Sequence, residues 1–322
     1  MPLVTAASSS VRSERAVPED DLRDTVLVGR RRPLQWVIAV AALVLLAMLV
    51  NTLLTNPRFE WHVVGDYLFS AAILRGLVLT LWLTAAVMVS GYLLGIGVAA
   101  LRLSDNTVLR SVSFGFVWFV RSVPPLVQLL FWFELASLYP RLSLGIPFGP
   151  EFVAVQTTHL LSAVAAAYVA LTVDVAAFAS EIVRGGILAV ERGQTEAADA
   201  LGLTRVRTFR RVVLPQAMPA IIPASGNLLI GMLKATSLVS VIAVQDLLGA
   251  TELIYNDNFK VIPLLIVATV WYLLLTSLLS VLQLGLERRF SRGKRGSAHR
   301  SALAVWRSNL HPLSHRRLRV EA

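Results

Sequence analysis

Residues 181–215, EIVRGGILAVERGQTEAADALGLTRVRTFRRVVLP, stand between two apolar stretches of membrane length, and their reading decides the fold. Arginine fills four of the seven positions from Arg205 to Arg211, and Glu196-Ala197-Ala198, Gly202, Val212 and Leu214-Pro215 punctuate the rest. Connections between neighbouring helices commonly take about two to eight residues. A charged, helix-prone insertion of this length points instead to docking against something in the cytoplasm. Glu196 and Asp199 are expected in the first turn of a short helix, where acidic side chains complement the positive end of the helix dipole. Gly202 is placed to stop that helix in the left-handed conformation. Thr204 is a fair cap for the next helix, which Pro215 should end at Leu214, marking the entry to the following span. The product is a helix–turn–helix elbow with Ala197, Ala198 and Ala200 on one slim surface. A solvated amphipathic loop helix with no partner fits the same residues.

Working outward, apolar residues make up 56% of the 322-residue chain, and six runs approach the roughly 20 apolar residues a membrane helix needs. They are 34–54, 77–101, 113–138, 160–180, 216–245 and 261–284. The first, second and last hold no Asp, Glu, Lys or Arg; the others hold Arg121 and Glu134, Asp174, and Lys234. The expected fold class is therefore an all-α integral membrane protein with about six transmembrane helices and a cytoplasmic loop between the fourth and fifth. The division is a polar tail over 1–33, a first membrane helix and external loop over 34–69, a transmembrane domain over 70–290 and a basic tail over 291–322. The Pro- and Gly-rich stretch 139–159 is read as turns. Gly91 and Gly95 form a GxxxG pair that permits close helix packing.

Basic residues concentrate on cytoplasmic segments. With the N-terminus inside, 24 Lys and Arg fall on inside segments against four outside (Arg58, Arg75, Arg141, Lys260). Both termini are therefore expected in the cytoplasm. The net charge of +10 then needs no nucleic acid to explain it, and the C-terminal arginines suit anionic membrane lipid. The chain has no cysteine, so disulfides and thiolate metal sites are excluded, and its five histidines show no metal-ligand spacing. No clustered catalytic set such as HExxH is present, so the chain is not expected to be an enzyme: no catalytic residue, no metal and no cofactor-binding residue is assigned.

The array Glu-Ala-Ala, three residues, Gly, nine residues, an aliphatic, one residue, Leu-Pro resembles the EAA loop of binding-protein-dependent ABC transporter permeases. Here it runs from Glu196 to Pro215, with Val212 at the usual Ile position. Glu181 to Ile187, Gly193-Gln194, Leu214 to Ala217, Lys234 to Leu238, and Phe119 to Leu129 (FVRSVPPLVQL) are similar to the polar amino acid (histidine/glutamine-type) branch. Together these matches cover about residues 70–290. The resemblance implies a permease subunit of an ATP-driven importer for polar amino acids in a bacterial inner membrane. Its partners would be an ABC ATPase dimer carrying ATP and Mg, a second permease copy or paralogue, an extracytoplasmic solute-binding protein and the amino acid itself. Having no GxxxxGK[ST] phosphate loop, this chain must leave ATP to a separate polypeptide. Glu196, Ala197, Ala198, Gly202, Leu214 and Pro215 would couple to the ATPase.

Ionisable groups at membrane depth usually face a cavity or a partner, which makes Asp174, Arg121 and Lys234 candidates for the substrate path. Asp174 stands where the family often has Asn, and Arg121 either binds a carboxylate, snorkels or pairs with Glu181. Lys234 matches the family, but Ala235 replaces an Asp often found beside it. Pro124-Pro125 should kink or break the third span. A permease for another small solute and an ion-coupled secondary transporter are the alternatives, and the latter needs no docking loop.

Overall fold

The computed structural model describes residues 33–146 and 151–290; the expectations for residues 1–32 and 291–322 lie outside them. The chain forms two units, one spanning Met1–Thr55 and Ser297–Ala322, the other beginning at Asn56. In the first, the described element is α1 (Pro33–Thr55), an apolar helix exposed along almost all its length. The second contains α2 (Trp61–Leu68), α3 (Ala71–Arg102), α4 (Thr107–Ser122), α5 (Pro125–Phe133) and α6 (Leu135–Leu138). A hairpin of β1 (Arg141–Gly145) and β2 (Glu151–Gln156) follows, then α7 (Thr157–Leu160), α8 (Ala163–Leu188), α9 (Arg192–Ala200) and α10 (Arg205–Thr208). The last elements are α11 (Leu214–Ala235), α12 (Leu247–Asn258) and α13 (Val261–Phe290). Segment 56–69 belongs to the second unit, because Val63 and Val64 of α2 are buried there.

Among the described residues, five helices are long and apolar enough to cross a membrane, and six spans result if α4 and α5 count as one bent span. The chain is thus an all-α membrane fold carrying one small hairpin. Short polar side chains start its main helices: Ser70 accepts from Ile73 N at 3.4 Å, Asn106 from Val108 N at 2.9 Å and Ser162 from Ala165 N at 3.3 Å. Each satisfies an N–H that the first helical turn leaves without a partner.

The third apolar run is not a straight span. The axes of α4 and α5 meet at 100° across Val123-Pro124. Two successive prolines delete two donors, orphaning the carbonyls of the preceding turn. Gln128 Nε2 donates to Val120 O at 2.8 Å and to Val123 O at 3.0 Å, replacing part of what is lost. The 139–159 stretch also departs from the turn reading, forming the antiparallel β1–β2 hairpin with Arg141 opposite Gln156. Its second strand, EFVAVQ, is rich in residues that fit a pleated surface, a signal the neighbouring Pro and Gly obscured.

The core centres on α3 against α8. Gly91 lies by Val175 and Gly95 by Ala179, so the two helices run parallel, and Ser90 Oγ meets Thr172 Oγ1 at 3.1 Å. A Cβ on Gly91 would sit 2.4 Å from Val175 Cγ1, and one on Gly95 2.9 Å from Ala176 O. Leu83, Val87, Leu129, Leu171, Val175 and Val239 are buried along this seam. A second cluster, including Ile73, Leu233, Leu247, Leu264 and Val267, joins α3 to α11, α12 and α13. Gly95→Val should therefore force the helices apart, costing about 1–3 kcal/mol in the manner of an overpacked core. Gly97→Ala, with no atom within 4 Å of the new Cβ, should be neutral. Thermal unfolding of the purified variants in detergent checks both; equal melting temperatures would contradict the packing account.

Candidate functional site

The elbow between α8 and α11 is built from a helix stop and a wide turn. Gly202 adopts φ +72°. Its N–H donates to Asp199 O at 2.9 Å and that of Leu203 to Ala198 O at 3.1 Å, the paired bonds of a Schellman stop. No atom lies within 4 Å of a Cβ built on Gly202, so glycine is needed there for backbone conformation and not for space. Two expectations about α9 are corrected. The helix begins at Arg192 with Glu191 at its cap position, so Glu196 and Asp199 are not in the first turn and cannot complement its positive end. Ala198 faces inward at 3% exposure, so the accessible small surface is Ala197 and Ala200 beside Glu196.

The second half of the elbow also differs from a single capped helix. Thr204 occupies the cap position of α10, but its side chain makes no capping bond. A π turn over Phe209–Val213 follows, and helix continues through Leu214 and Pro215 into α11. The wider turn lies just before Pro215, whose ring would clash with the carbonyl four residues back in a regular helix. Gln216 Nε2 donates to Gln194 Oε1 at 3.2 Å, tying the start of α11 to α9. Leu201 (80% exposed), Val206 and Phe209 are left open beside Arg205, Arg207, Arg210 and Arg211. An apolar strip thus lies inside a basic surface ahead of a membrane helix.

The predicted intramembrane charges occupy three separate environments. Asp174 is buried on α8, beside Gln128 at the α4–α5 break. Arg121 does not pair with Glu181; its guanidinium lies 5.1 Å from the Phe178 ring centre. Glu181 is instead held by Arg102 of α3 and by Arg184 at 3.0 Å. Two guanidinium groups already satisfy that carboxylate, so Arg121 is left to the aromatic face. Lys234 lies apart, exposed at the end of α11 facing Thr269, Tyr272 and Thr276 of α13.

Asp246 escaped the sequence reading, although it is wholly buried. It caps α12 by accepting from Gly249 N at 2.9 Å, and it takes bonds from Tyr272 at 3.2 Å and Thr80 at 3.4 Å. The signal was an acidic residue directly before an apolar helix, which reads as a cap; the partners from α3 and α13 are not local and left no trace in the sequence.

The membrane bundle and its charged elbow fall within a stretch that matches a known family. The binding-protein-dependent transport system inner membrane component matches residues 91–292, well over half the chain. The chain belongs to that family. This permease is 41% identical over 265 residues to the arginine transport system permease protein ArgU of Corynebacterium glutamicum, covering 82% of each chain. It is 31% identical to the histidine/lysine/arginine/ornithine transport system permease protein HisQ of Salmonella typhimurium, over 70% of this chain and 96% of that one. Among solved structures, an amino acid ABC transporter crystallised with histidines matches with a TM-score of 0.57 and 33% identity, over 68% of this chain and 94% of that one.

Proposed function

We propose that this permease forms half of the membrane pathway of an ATP-driven importer for polar amino acids. The observation that carries the reading is the elbow: a glycine-stopped helix with exposed Glu196 and Ala197, leading through an apolar and basic turn into α11. Relatives named for amino acid transport support the cargo. On this reading Glu196 and Ala197 touch a separate ATPase subunit, while buried Ala198, Gly202, Leu214 and Pro215 couple to it by holding the elbow in shape. A second permease copy or paralogue completes the pathway, and a solute-binding protein delivers the amino acid to the outer face. ATP-driven closure of the ATPase pair moves the elbows as rigid bodies and switches the pathway between outward and inward opening. Gly202→Val tests this. A β-branched residue at positive φ costs roughly 1–2 kcal/mol, enough to unseat the stop without unfolding the spans. The variant should reach the membrane and lose ATPase activity stimulated by the binding protein in proteoliposomes. Full stimulation would refute the elbow's role.

The orientation proposed is a cytoplasmic elbow, with both termini inside, in a bacterial inner membrane. The absence of cysteine from the sequence makes a clean test possible. Single cysteines at Ser143 and Asn256 should react with an impermeant thiol reagent in intact cells, and cysteines at Glu196 and Ala200 should not. The reverse pattern would invert the topology.

Asp174, Arg121 and Lys234 are proposed to line the substrate path. Asp174 next to Gln128 suits a cationic group, because a buried carboxylate with one amide neighbour gains from an added ammonium or guanidinium. Asp174→Asn keeps the shape and removes the charge. Its expected outcome is normal assembly with about tenfold weaker apparent affinity for cationic amino acids, the scale of one charged hydrogen bond. Unchanged uptake of every amino acid tested would remove Asp174 from the path.

A further inference from the structure

The ends of α3 and α8 and the start of α4 bring three arginines to one cavity. Arg102 is the last residue of α3, and Arg110 stands in the first turn of α4. Arg184 lies four residues before the end of α8, or about 6 Å along its axis. With Ser111 and Phe114 these arginines line a space of about 370 Å³. Because α3 runs parallel to α8, and α8 leads into the elbow, the cavity sits at the elbow-side edge of the apolar layer, level with lipid headgroups.

The charge of this cluster is not balanced within the described residues. Glu181 pairs with Arg102 and with Arg184 Nη2 at 3.0 Å, and it stands behind the cavity wall. The Arg110 guanidinium and the Ser111 hydroxyl have no ion-pair or hydrogen-bond partner among the described residues. Arg184 Nε is buried with no acceptor. The wall thus offers donors and positive charge and no acidic side chain. A zwitterion would leave its ammonium facing guanidinium groups. A phosphate uses the donors on every side, since its oxygens match the guanidinium fork. The surroundings indicate where that phosphate comes from. Phe114 and Trp118 lie one turn apart on α4 and are both exposed. An adjoining cavity of about 470 Å³ runs from Arg102 and Arg184 past both rings to Arg121. Apolar surface continuing from the cations into the layer fits a phosphate that carries acyl chains.

We infer that this cavity binds the phosphate of an anionic phospholipid in the elbow-side leaflet, with Arg102 and Arg184 holding it from the α3–α8 seam and Arg110 from α4. Phosphatidylglycerol brings no ammonium to the cluster, whereas the choline of phosphatidylcholine would stand against uncompensated guanidinium groups. The site therefore prefers the anionic lipid. A lipid held there ties the start of α4 to the roots of α3 and α8, next to the helix that feeds the elbow. The cargo plays no part in this inference.

The test is native mass spectrometry of the purified permease–ATPase complex, delipidated in detergent and titrated with phosphatidylglycerol, phosphatidylcholine or inorganic phosphate. In the wild type the first phosphatidylglycerol should bind about tenfold more tightly than the first phosphatidylcholine, the scale of a charge-assisted contact, and inorganic phosphate should not displace it. Arg110→Gln should abolish that preference, while Arg110→Lys stays within about threefold of the wild type because a point charge still attracts phosphate. Arg288→Gln, an exposed arginine at the elbow-side end of α13, should leave the preference unchanged. Should Arg110→Gln fail to assemble, Ser111→Leu, which fills the cavity from the adjacent position, must abolish the preference in its place. An undiminished preference in Arg110→Gln, or in Ser111→Leu, would overturn the inference. So would an equal loss in Arg288→Gln, which would reduce the effect to general attraction between a basic surface and anionic lipid. Displacement by inorganic phosphate would give the site to the free ion and remove the lipid from it. Release of the ATPase by Arg110→Gln with lipid binding intact would give the arginine to a protein contact and likewise overturn the inference.

Discussion

Two backbones approach closely where α3 crosses α8, and the remaining architecture is arranged around that contact. In lipid there is no hydrophobic drive between two apolar helices, so their association depends on van der Waals fit and interhelical hydrogen bonds. Gly91 and Gly95 supply the fit by presenting backbone where Val175, Ala176 and Ala179 need room, and Ser90 with Thr172 supplies a hydrogen bond. Because the helices are parallel, the chain must return to its starting side between them. The bent α4–α5 pair and the hairpin make that return. Arg102 at the end of α3 then holds Glu181 on α8, so the helix feeding the elbow is fastened to its neighbour both in the seam and at its root.

Polar side chains inside this body fall into two kinds. Asp246 and Gln128 are saturated: the carboxylate caps α12 and receives Tyr272 and Thr80, and the amide serves carbonyls freed by the proline break. Removing either would leave buried groups unpaired, so each is explained by the fold alone. Lys234 is not saturated, and Arg121 has only an aromatic face. The fold gains nothing from an unpaired ammonium at that depth, and this marks such positions for a ligand or a partner chain.

The sequence exposed these features unequally. Span positions were legible because transfer free energy is a sum over local residues, and the failure of the third run to remain straight was legible because proline acts on its own turn. Gly202 was equally local, and its positive φ follows from the stop it makes. The start of α9 at Arg192 was misplaced because no capping side chain marks it: Glu191 stands at the cap position without a bond. The hairpin was missed because the pairing of Arg141 with Gln156 is a contact between distant residues. Of the three readings of Arg121, pairing with Glu181 fails for a related reason. Arg102, which lies on a third helix, has already taken the carboxylate, and Arg121 lies over the Phe178 ring.

The two roots of the elbow differ in stiffness for reasons that the backbone makes plain. Upstream, α8 has an unbroken ladder of main-chain bonds and a packed seam. Downstream, α11 carries Pro215 in its first turn and Pro219 and Pro223 inside it, at four-residue intervals along one face, so two i to i−4 bonds are missing within the helix. Gln283 of α13 packs against this stretch, donating to Pro223 O at 3.3 Å and to Asn227 at 3.1 Å, and its amide fills the space beside Gly226. A force applied at α9 and α10 therefore meets a rigid pair on one side and a helix with fewer internal bonds on the other. Bending concentrates where a helix has lost its bonds. The asymmetry places deformation in α11, the helix that leads from the elbow to Lys234.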